Sequence, residues 1–360
     1  MQRLNATDFP AATRAARKII VVDLGFLGDT VHLVPALWEI KRHYPGAELH
    51  VLSAPVGCEV LKMVPCVKRA WSFPLGPPSP SWWEHWDVLR ALRRERFDVA
   101  FNFNGSDRPV IVTALLRAPH ALAYRGSRQH FWQPWLIPTW IQRTKLPSPV
   151  CEGRRHLLSL CGFDLQPTRF DFDVPDEDRQ WAEANIPAGS LHLSINASFA
   201  LKEWPMANNL GLVRYLLASG WDRKIVATGA PNPREQGRLQ RLRQEIPDER
   251  LIVITERLTV TRLAALLKRC AMHVGPDSGM IHVAMALRVP TVAIFRRYHD
   301  MADFLPVGPE HIYFDAPCPC MTSKTPPCVA THEAACLAGI SPELVGAEIL
   351  RRLALTPVKT

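Results

Sequence analysis

The stretch Gly275-Pro276-Asp277-Ser278-Gly279-Met280-Ile281-His282 sets an acid, a hydroxyl, a glycine and an imidazole between two apolar runs, 271–274 and 291–295. The runs read as parallel strands and the residues between as a helix, a βαβ unit whose helix opens on capping residues. The first N–H groups of a helix lack intrahelical partners, and the macrodipole adds partial positive charge there. Such a start can hold a phosphate. His282, four residues after Ser278, falls on the same helix face one turn in. A capped helix in any α/β protein begins in a similar way, so Asp-Ser-Gly alone does not decide the chemistry.

Two further strand-to-helix turns carry reactive residue types. Gly25-Phe26-Leu27-Gly28-Asp29 follows an apolar run over 18–24. Its G-x-x-G is too short for the dinucleotide fingerprint, and no Walker Lys-Ser/Thr pair follows. Asp29 stands where the next helix begins, at the sheet edge where such folds bind ligands; it can cap that helix or act on a substrate. The second turn, Asn196-Ala197-Ser198-Phe199-Ala200-Leu201-Lys202-Glu203-Trp204-Pro205, offers a hydroxyl and one ammonium after a strand. A lysine near exposed amides suits a pyrophosphate, although most lone lysines are only solvated. A later turn, 228–235, places Glu235 where it could take a ribose diol.

The elements that must position these residues form two alternating strand–helix series, so the fold class is α/β with doubly wound parallel sheets. The first has strands over 18–24, 48–53, 67–72, 97–103 and 120–124, with helices over 29–43, 83–96 and 109–116. Residues 125–150, rich in Pro, Trp and Arg, read as a long functional loop, and 151–161 as a helix. The second has strands over 191–195, 224–228 and 251–254, with helices over 206–219, 234–245 and 261–270, then the βαβ unit and a last helix over 342–353. Two Rossmann-like domains facing a cleft are expected, over 1–165 and 190–360, joined by a linker over 166–189.

A chain of 360 residues exceeds one hydrophobic core. With 47% hydrophobic and 21% charged residues it is folded rather than disordered. No apolar run approaches the roughly 18 residues of a membrane span, and residues 1–18 carry no secretory pattern, so a cytoplasmic protein is expected. The net charge of +9 suits an acidic partner. Its Arg and Lys are spread along the chain, which disfavours nucleic acid. Trp71, Trp82, Trp83, Trp86, Trp132, Trp135 and Trp140, interleaved with Arg125, Arg128, Arg143 and Lys145, suggest either an interfacial surface or ordinary packing, with packing slightly favoured. Of nine cysteines, four come late as C-x-C-x7-C-x7-C: Cys318, Cys320, Cys328 and Cys336. Four thiolates can bind zinc or an iron centre, but the spacing matches no common zinc pattern, and reduced thiols in a Pro-rich loop are favoured.

Together the motifs resemble the ADP-heptose:lipopolysaccharide heptosyltransferases, glycosyltransferase family 9. The resemblance covers nearly the whole chain. It rests on G-x-x-G-D-x-x-x-x-x-P (Gly25, Gly28, Asp29, Pro35), A-S-x-x-x-K-x-W-P (Ala197 to Pro205), the turn before Glu235, and D-S-G-x-x-H with its trailing Pro290-Thr291. Family members usually have Asp-Thr-Gly where this chain has Asp277-Ser278-Gly279, which keeps the hydroxyl; some have two threonines where Ala197 and Ser198 stand. The resemblance implies a GT-B fold and an inverting transfer of heptose from ADP-heptose to a lipopolysaccharide inner-core hydroxyl, with no metal cofactor in the catalysis. It gives Asp29 the role of general base. Lys202, Ser198 and the helix start at Ser278-Gly279 would stabilise departing ADP. Asp277 would hold the heptose hydroxyls, His282 the phosphate or sugar, Glu235 the ribose and Leu258 the adenine. Arg125 and Arg128 are the expected contacts to an anionic, phosphorylated core acceptor, in peripheral contact with the inner membrane. Relatives that glycosylate autotransporter proteins carry a four-cysteine metal site in the late region, so structural zinc or iron and a protein-serine acceptor stay open, as does transfer of another nucleotide sugar onto a glycan. A nicotinamide oxidoreductase is the rival from another class, opposed by the missing G-x-G-x-x-G and by Ser53-Ala54-Pro55 where an acid would follow the second strand. A metal-stabilised binding protein rests on the cysteines alone.

Overall fold

A computed structural model of the chain describes residues 4–75, 81–125, 130–142, 144–298, 301–318, 328 and 334–354. The chain divides into two compact units, Met1–Asp173 and Val174–Thr360. The first holds six strands, β1 (Lys18–Asp23), β2 (Glu48–Ser53), β3 (Arg69–Ser72), β4 (Val99–Asn102), β5 (His120–Tyr124) and β6 (Thr139–Ile141). The second holds β7 (Ser190–Ser194), β8 (Ile225–Thr228), β9 (Leu251–Ile254), β10 (Cys270–Pro276), β11 (Thr291–Arg296) and β12 (His311–Ala316). The sheet orders are β3-β2-β1-β4-β5-β6 and β12-β11-β10-β7-β8-β9, which is one doubly wound order used twice. The central pairings, β1 with β2 and β4, and β7 with β8 and β10, are all parallel. In such sheets the strand order reverses at one place, and ligands settle beyond the carboxyl ends of the strands there. That place is β1/β4 in the first unit and β7/β10 in the second.

Alternation along the strands explains the layering. On β1, Ile19 and Val21 pack into a core with the helices Leu27–His43 and Val150–Leu160. Ile20 and Val22 pack on the opposite face with the helices Trp82–Arg94 and Asp107–Leu115. In the second unit Leu191, Leu193, Met272 and Val274 join residues of the helices Met206–Ala218 and Pro233–Glu245. The helix Pro342–Ala354 completes that core with Val345, Ile349 and Leu353. Its Gly346 lets it lie directly on Tyr215, since a Cβ there would fall 2.3 Å from the Tyr215 ring.

Two expectations need correction. Residues 125–150 are not all loop: they contain the short helix Gln133–Leu136 and β6, whose residues Leu122↔Thr139 and Tyr124↔Ile141 pair with β5. Residues 166–189 are not a bare linker: Asp176–Asn185 is a helix with Asp176, Glu177 and Asp178 in its first turn, where acids suit the macrodipole. The division falls at Asp173/Val174. The tryptophans are mixed in role, with Trp71 buried while Trp83, Trp86 and Trp135 are exposed. No helix among the described residues is long and apolar enough to cross a membrane.

Candidate functional site

In the first unit β1 ends on Asp23, and the chain turns through Gly25 into the helix Leu27–His43. A Cβ on Gly25 would lie 2.5 Å from Asp29 Cβ and 2.8 Å from its Oδ2, so only glycine lets the turn pass this close to the carboxylate. Asp29 Oδ2 accepts the Phe26 N–H at 2.9 Å. Its side chain remains 28% exposed, so Asp29 caps the helix and still meets solvent. Arg154, from the helix Val150–Leu160, reaches the same place. Its Nη1 stands 3.4 Å from Asp23 Oδ2, and its Nη2 4.0 Å from Asp29 Oδ1. Nη1 also donates to the Asp29 carbonyl oxygen. Asp23 is buried, and burial pushes its carboxyl above the usual range; Arg154 works against that rise and Asp29 adds to it. The sequence reading found Asp29 but neither Asp23 nor Arg154.

In the second unit, two residues far apart in sequence meet. Lys202, in the short turn Ala200–Lys202 after β7, places Nζ 2.7 Å from Asp277 Oδ2, just past β10. Asp277 is 5% exposed. Tyr298 donates its hydroxyl to the same oxygen at 3.1 Å, and the Lys202 ammonium lies 5.7 Å from the Tyr298 ring centre. Ser278 is the N-cap and Gly279 the first residue of the helix Gly279–Ala286, and Ser278 Oγ is buried with no hydrogen-bond partner among the described residues. His282 is buried one turn in, its ring 6.0 Å from that of Phe304. Ser198 is exposed at the tip of the β7 turn.

That turn is held from below by residues the sequence reading did not select. Buried Glu203 accepts the Ala197 N–H at 3.0 Å and pairs with Arg234. Arg238 donates to Asn196 Oδ1 at 3.0 Å, to the Ile195 carbonyl at 3.0 Å and to the Trp204 carbonyl at 3.2 Å. Between β7 and β10, fully buried His192 and His273 are hydrogen-bonded through their Nδ1 atoms, 2.7 Å apart, and His192 Nε2 meets Thr228 Oγ1 at 2.9 Å. Burial pushes the His192 imidazole down to about 3 and moves His273 the same way. Both rings are therefore neutral parts of the sheet.

Both units thus gather polar and charged groups at the switch point of a doubly wound sheet, where such folds bind ligands. The model of glycosyltransferase family 9 (heptosyltransferase) matches residues 85–333. This chain belongs to glycosyltransferase family 9. The matched span contains Lys202, Asp277 and His282 but begins after the Asp29 turn. The chain is 24% identical to the lipopolysaccharide heptosyltransferase 2 of Escherichia coli (strain K12), over 77% of this chain and 82% of that protein. A family 9 glycosyl transferase structure from Veillonella parvula superposes with a TM-score of 0.78 at 18% identity, covering 94% of this chain and 98% of that one. The E. coli ADP-heptose lps heptosyltransferase II structure gives 0.72 at 18% identity, covering 94% and 99%. These likenesses carry the GT-B fold, and family membership makes the chain a glycosyltransferase. The oxidoreductase reading is thereby set aside.

The other residues singled out from the resemblance to the family are placed unevenly. Glu235 closes its own turn: it accepts the Ala230 N–H at 2.7 Å and Asn232 Nδ2 at 3.0 Å. Leu258 is half-buried in the loop before the helix Val260–Arg269. Arg125 lies just past β5, its Nη1 3.2 Å from Gln142 Oε1, in a 700 Å³ pocket shared with Asn5, Trp140 and Thr144. Arg128 lies outside the described residues, as do Arg143 and Cys320. Cys318 and Cys328 are buried, and burial together with these two neighbouring thiols pushes Cys336 up to about 11. Three of the four late cysteines are therefore close, although no group of three or more His, Cys, Asp or Glu among the described residues is arranged to hold a metal.

Proposed function

We propose that this chain transfers a heptose from ADP-heptose to a hydroxyl of the lipopolysaccharide inner core, with inversion at the anomeric carbon. The observation that carries the reading is the Lys202–Asp277 pair set beside the start of the helix Gly279–Ala286, where the buried Ser278 hydroxyl has no partner among the described residues. A departing diphosphate gains negative charge, and an ammonium with unpaired amide donors is suited to receive it without a divalent metal in the step. Asp29 supplies the base. A sugar hydroxyl attacks poorly until its proton is taken, and Asp29 is a solvent-reaching carboxylate fixed on one oxygen. Support also comes from the names of the relatives, which are lipopolysaccharide heptosyltransferases.

Glu235 and Leu258 serve ribose and adenine in this reading, and Ser198 and His282 the phosphates or sugar. Arg125 and Arg128 receive the acidic core acceptor, which is anchored in the membrane, so the enzyme works in the cytoplasm against the inner leaflet. The late cysteines take no part in the transfer: Cys318, Cys328 and Cys336 are free thiols in this reading, and burial keeps Cys336 protonated.

The test is a donor and acceptor screen, ADP-heptose against truncated core glycans, run with Asp29→Asn beside the native enzyme. The variant should fold normally and lose roughly 10²–10⁴-fold in turnover, the scale of general-base removal. Turnover within a few-fold of native at saturating donor would overturn the role of Asp29. Failure of ADP-heptose to react with any core acceptor would overturn the substrate assignment.

A further inference from the structure

The Asp29 carboxylate has two unlike oxygens. Oδ2 is fixed by the Phe26 N–H at 2.9 Å, while Oδ1 faces the Arg154 guanidinium at 4.0 Å, beyond hydrogen-bond contact. Arg154 is itself only 11% exposed and reaches a second acid, Asp23, at 3.4 Å. It also donates to the backbone carbonyl of Asp29, tying the first turn of one helix to a helix whose own residues are far away in sequence. An acid buried at the end of β1 is costly unless it is paired. The Asp29 cap does not require it, because the Phe26 N–H already serves there. We propose that Arg154 is a positioning residue for proton abstraction by Asp29, and that buried Asp23 is the anchor that keeps Arg154 from closing on the base.

The chemistry explains why three groups serve better than two. An arginine in direct contact with Asp29 would form a charge-assisted pair and occupy the lone pairs that must take the acceptor proton. An arginine removed altogether would leave the carboxylate free to rotate about its single backbone tether. Sharing the guanidinium with Asp23 holds it at an intermediate distance. It orients Oδ1, and the three groups together keep a net negative charge for the incoming proton. This role rests on the proposed transfer reaction, with Asp29 as its base.

The test is a set of four variants read by kcat, donor KM and melting temperature. Arg154→Met strands a buried acid and should lower both kcat and melting temperature. In the double variant Arg154→Met/Asp23→Asn no acid is stranded, so the melting temperature should return towards native, while kcat stays about 10–100-fold down, the cost of a misplaced reacting group. Donor KM should stay within about twofold of native in this double variant, since the proposed nucleotide-sugar residues lie in the other unit. Asp23→Asn alone should fold and lose kcat as Arg154 closes on Asp29. Arg154→Lys, which cannot meet both acids at once, should fall between native and the double variant.

A double variant with native kcat would show that Arg154 only neutralises Asp23, and would overturn the proposal. Asp23→Asn with native kcat would overturn the anchor. If Asp29→Asn is inactive in either event, the transfer reading survives and only the positioning role fails. If Asp29→Asn is fully active, the base assignment beneath it fails first.

Discussion

Replacing Lys202 with alanine tests the second-unit site in two independent ways. In the free protein Lys202 Nζ stands 2.7 Å from Asp277 Oδ2, and the carboxylate is only 5% exposed. Removing one partner of a fully buried pair costs about 3–5 kcal/mol, because the other charge is left behind. Lys202 is 31% exposed and Tyr298 still donates to Asp277, so solvent and hydroxyl offset part of this. A loss of about 1–3 kcal/mol is expected. For a unit of this size that lowers Tm by about 2–12 °C. The same ammonium is asked to hold the diphosphate, where a charge-assisted contact is worth about 1.5–3 kcal/mol. Turnover and ADP affinity should each fall by roughly 10–150-fold. Scanning calorimetry with and without ADP reads the first effect and the stabilisation that bound nucleotide adds; titration calorimetry and steady-state transfer read the second. Lys202→Ala/Asp277→Asn should regain most of the lost Tm without regaining turnover. Unchanged ADP affinity together with intact turnover would refute the reasoning, and make Lys202 a surface residue that happens to rest on Asp277.

Two other perturbations follow from the same geometry. His192 is neutral in the fold, pushed down to about 3 by burial, whereas unfolded it titrates near 6.5. Below pH 6.5 the unfolded chain therefore binds the extra proton, and stability is complete above that pH and declines as pH falls towards 3. The loss is about 2 kcal/mol by pH 5 for this ring alone, with His273 adding in the same direction. Thermal melts of His192→Gln should show a shallower pH slope, and an unchanged slope would sink the assignment. Arg125→Glu should raise acceptor KM and weaken binding to anionic vesicles, most at low salt, while leaving ADP affinity unchanged. Native acceptor kinetics with native vesicle binding would retire Arg125 as an acceptor contact.

What could be seen in the sequence was local. A strand-to-helix turn announces itself within a dozen residues, so Asp29, Lys202 and the Asp277–His282 segment were found, and Lys202 and Asp277 do meet. Arg154, Glu203, Arg234 and Arg238 were passed over because each acts on partners far along the chain. The contact of Arg154 with Asp23 spans 131 positions, and nothing in a helix such as Val150–Leu160 marks one arginine as facing a sheet edge. Short or atypical elements were lost for a different reason. β6 has three residues, too few for an alternation to register, and of the helix Asp176–Asn185 only Asp178 and Ala182 are buried, so its apolar stripe is almost absent. Glu235 shows a limit of another kind: an acid after a turn reads the same in sequence whether it serves a substrate or closes the turn, and the structure adds that its carboxylate accepts from Ala230 and Asn232.

The helix Pro342–Ala354, lying on Tyr215 through Gly346, bears on the order in which the chain acquires structure as it is made. The first unit, Met1–Asp173, is continuous in sequence, and its cores draw only on its own residues. It can fold while the rest is still being synthesised. The second unit cannot, because Val345, Ile349 and Leu353 fill a core built mainly from strands and helices translated long before. At about 5–20 residues per second, those earlier segments wait roughly 7–28 s for their last side chains, with the apolar side chains Leu212 and Leu216 short of their final packing in the meantime. Premature termination shortly before residue 342 would therefore spare the first unit and leave the second as a substrate for chaperones and proteases.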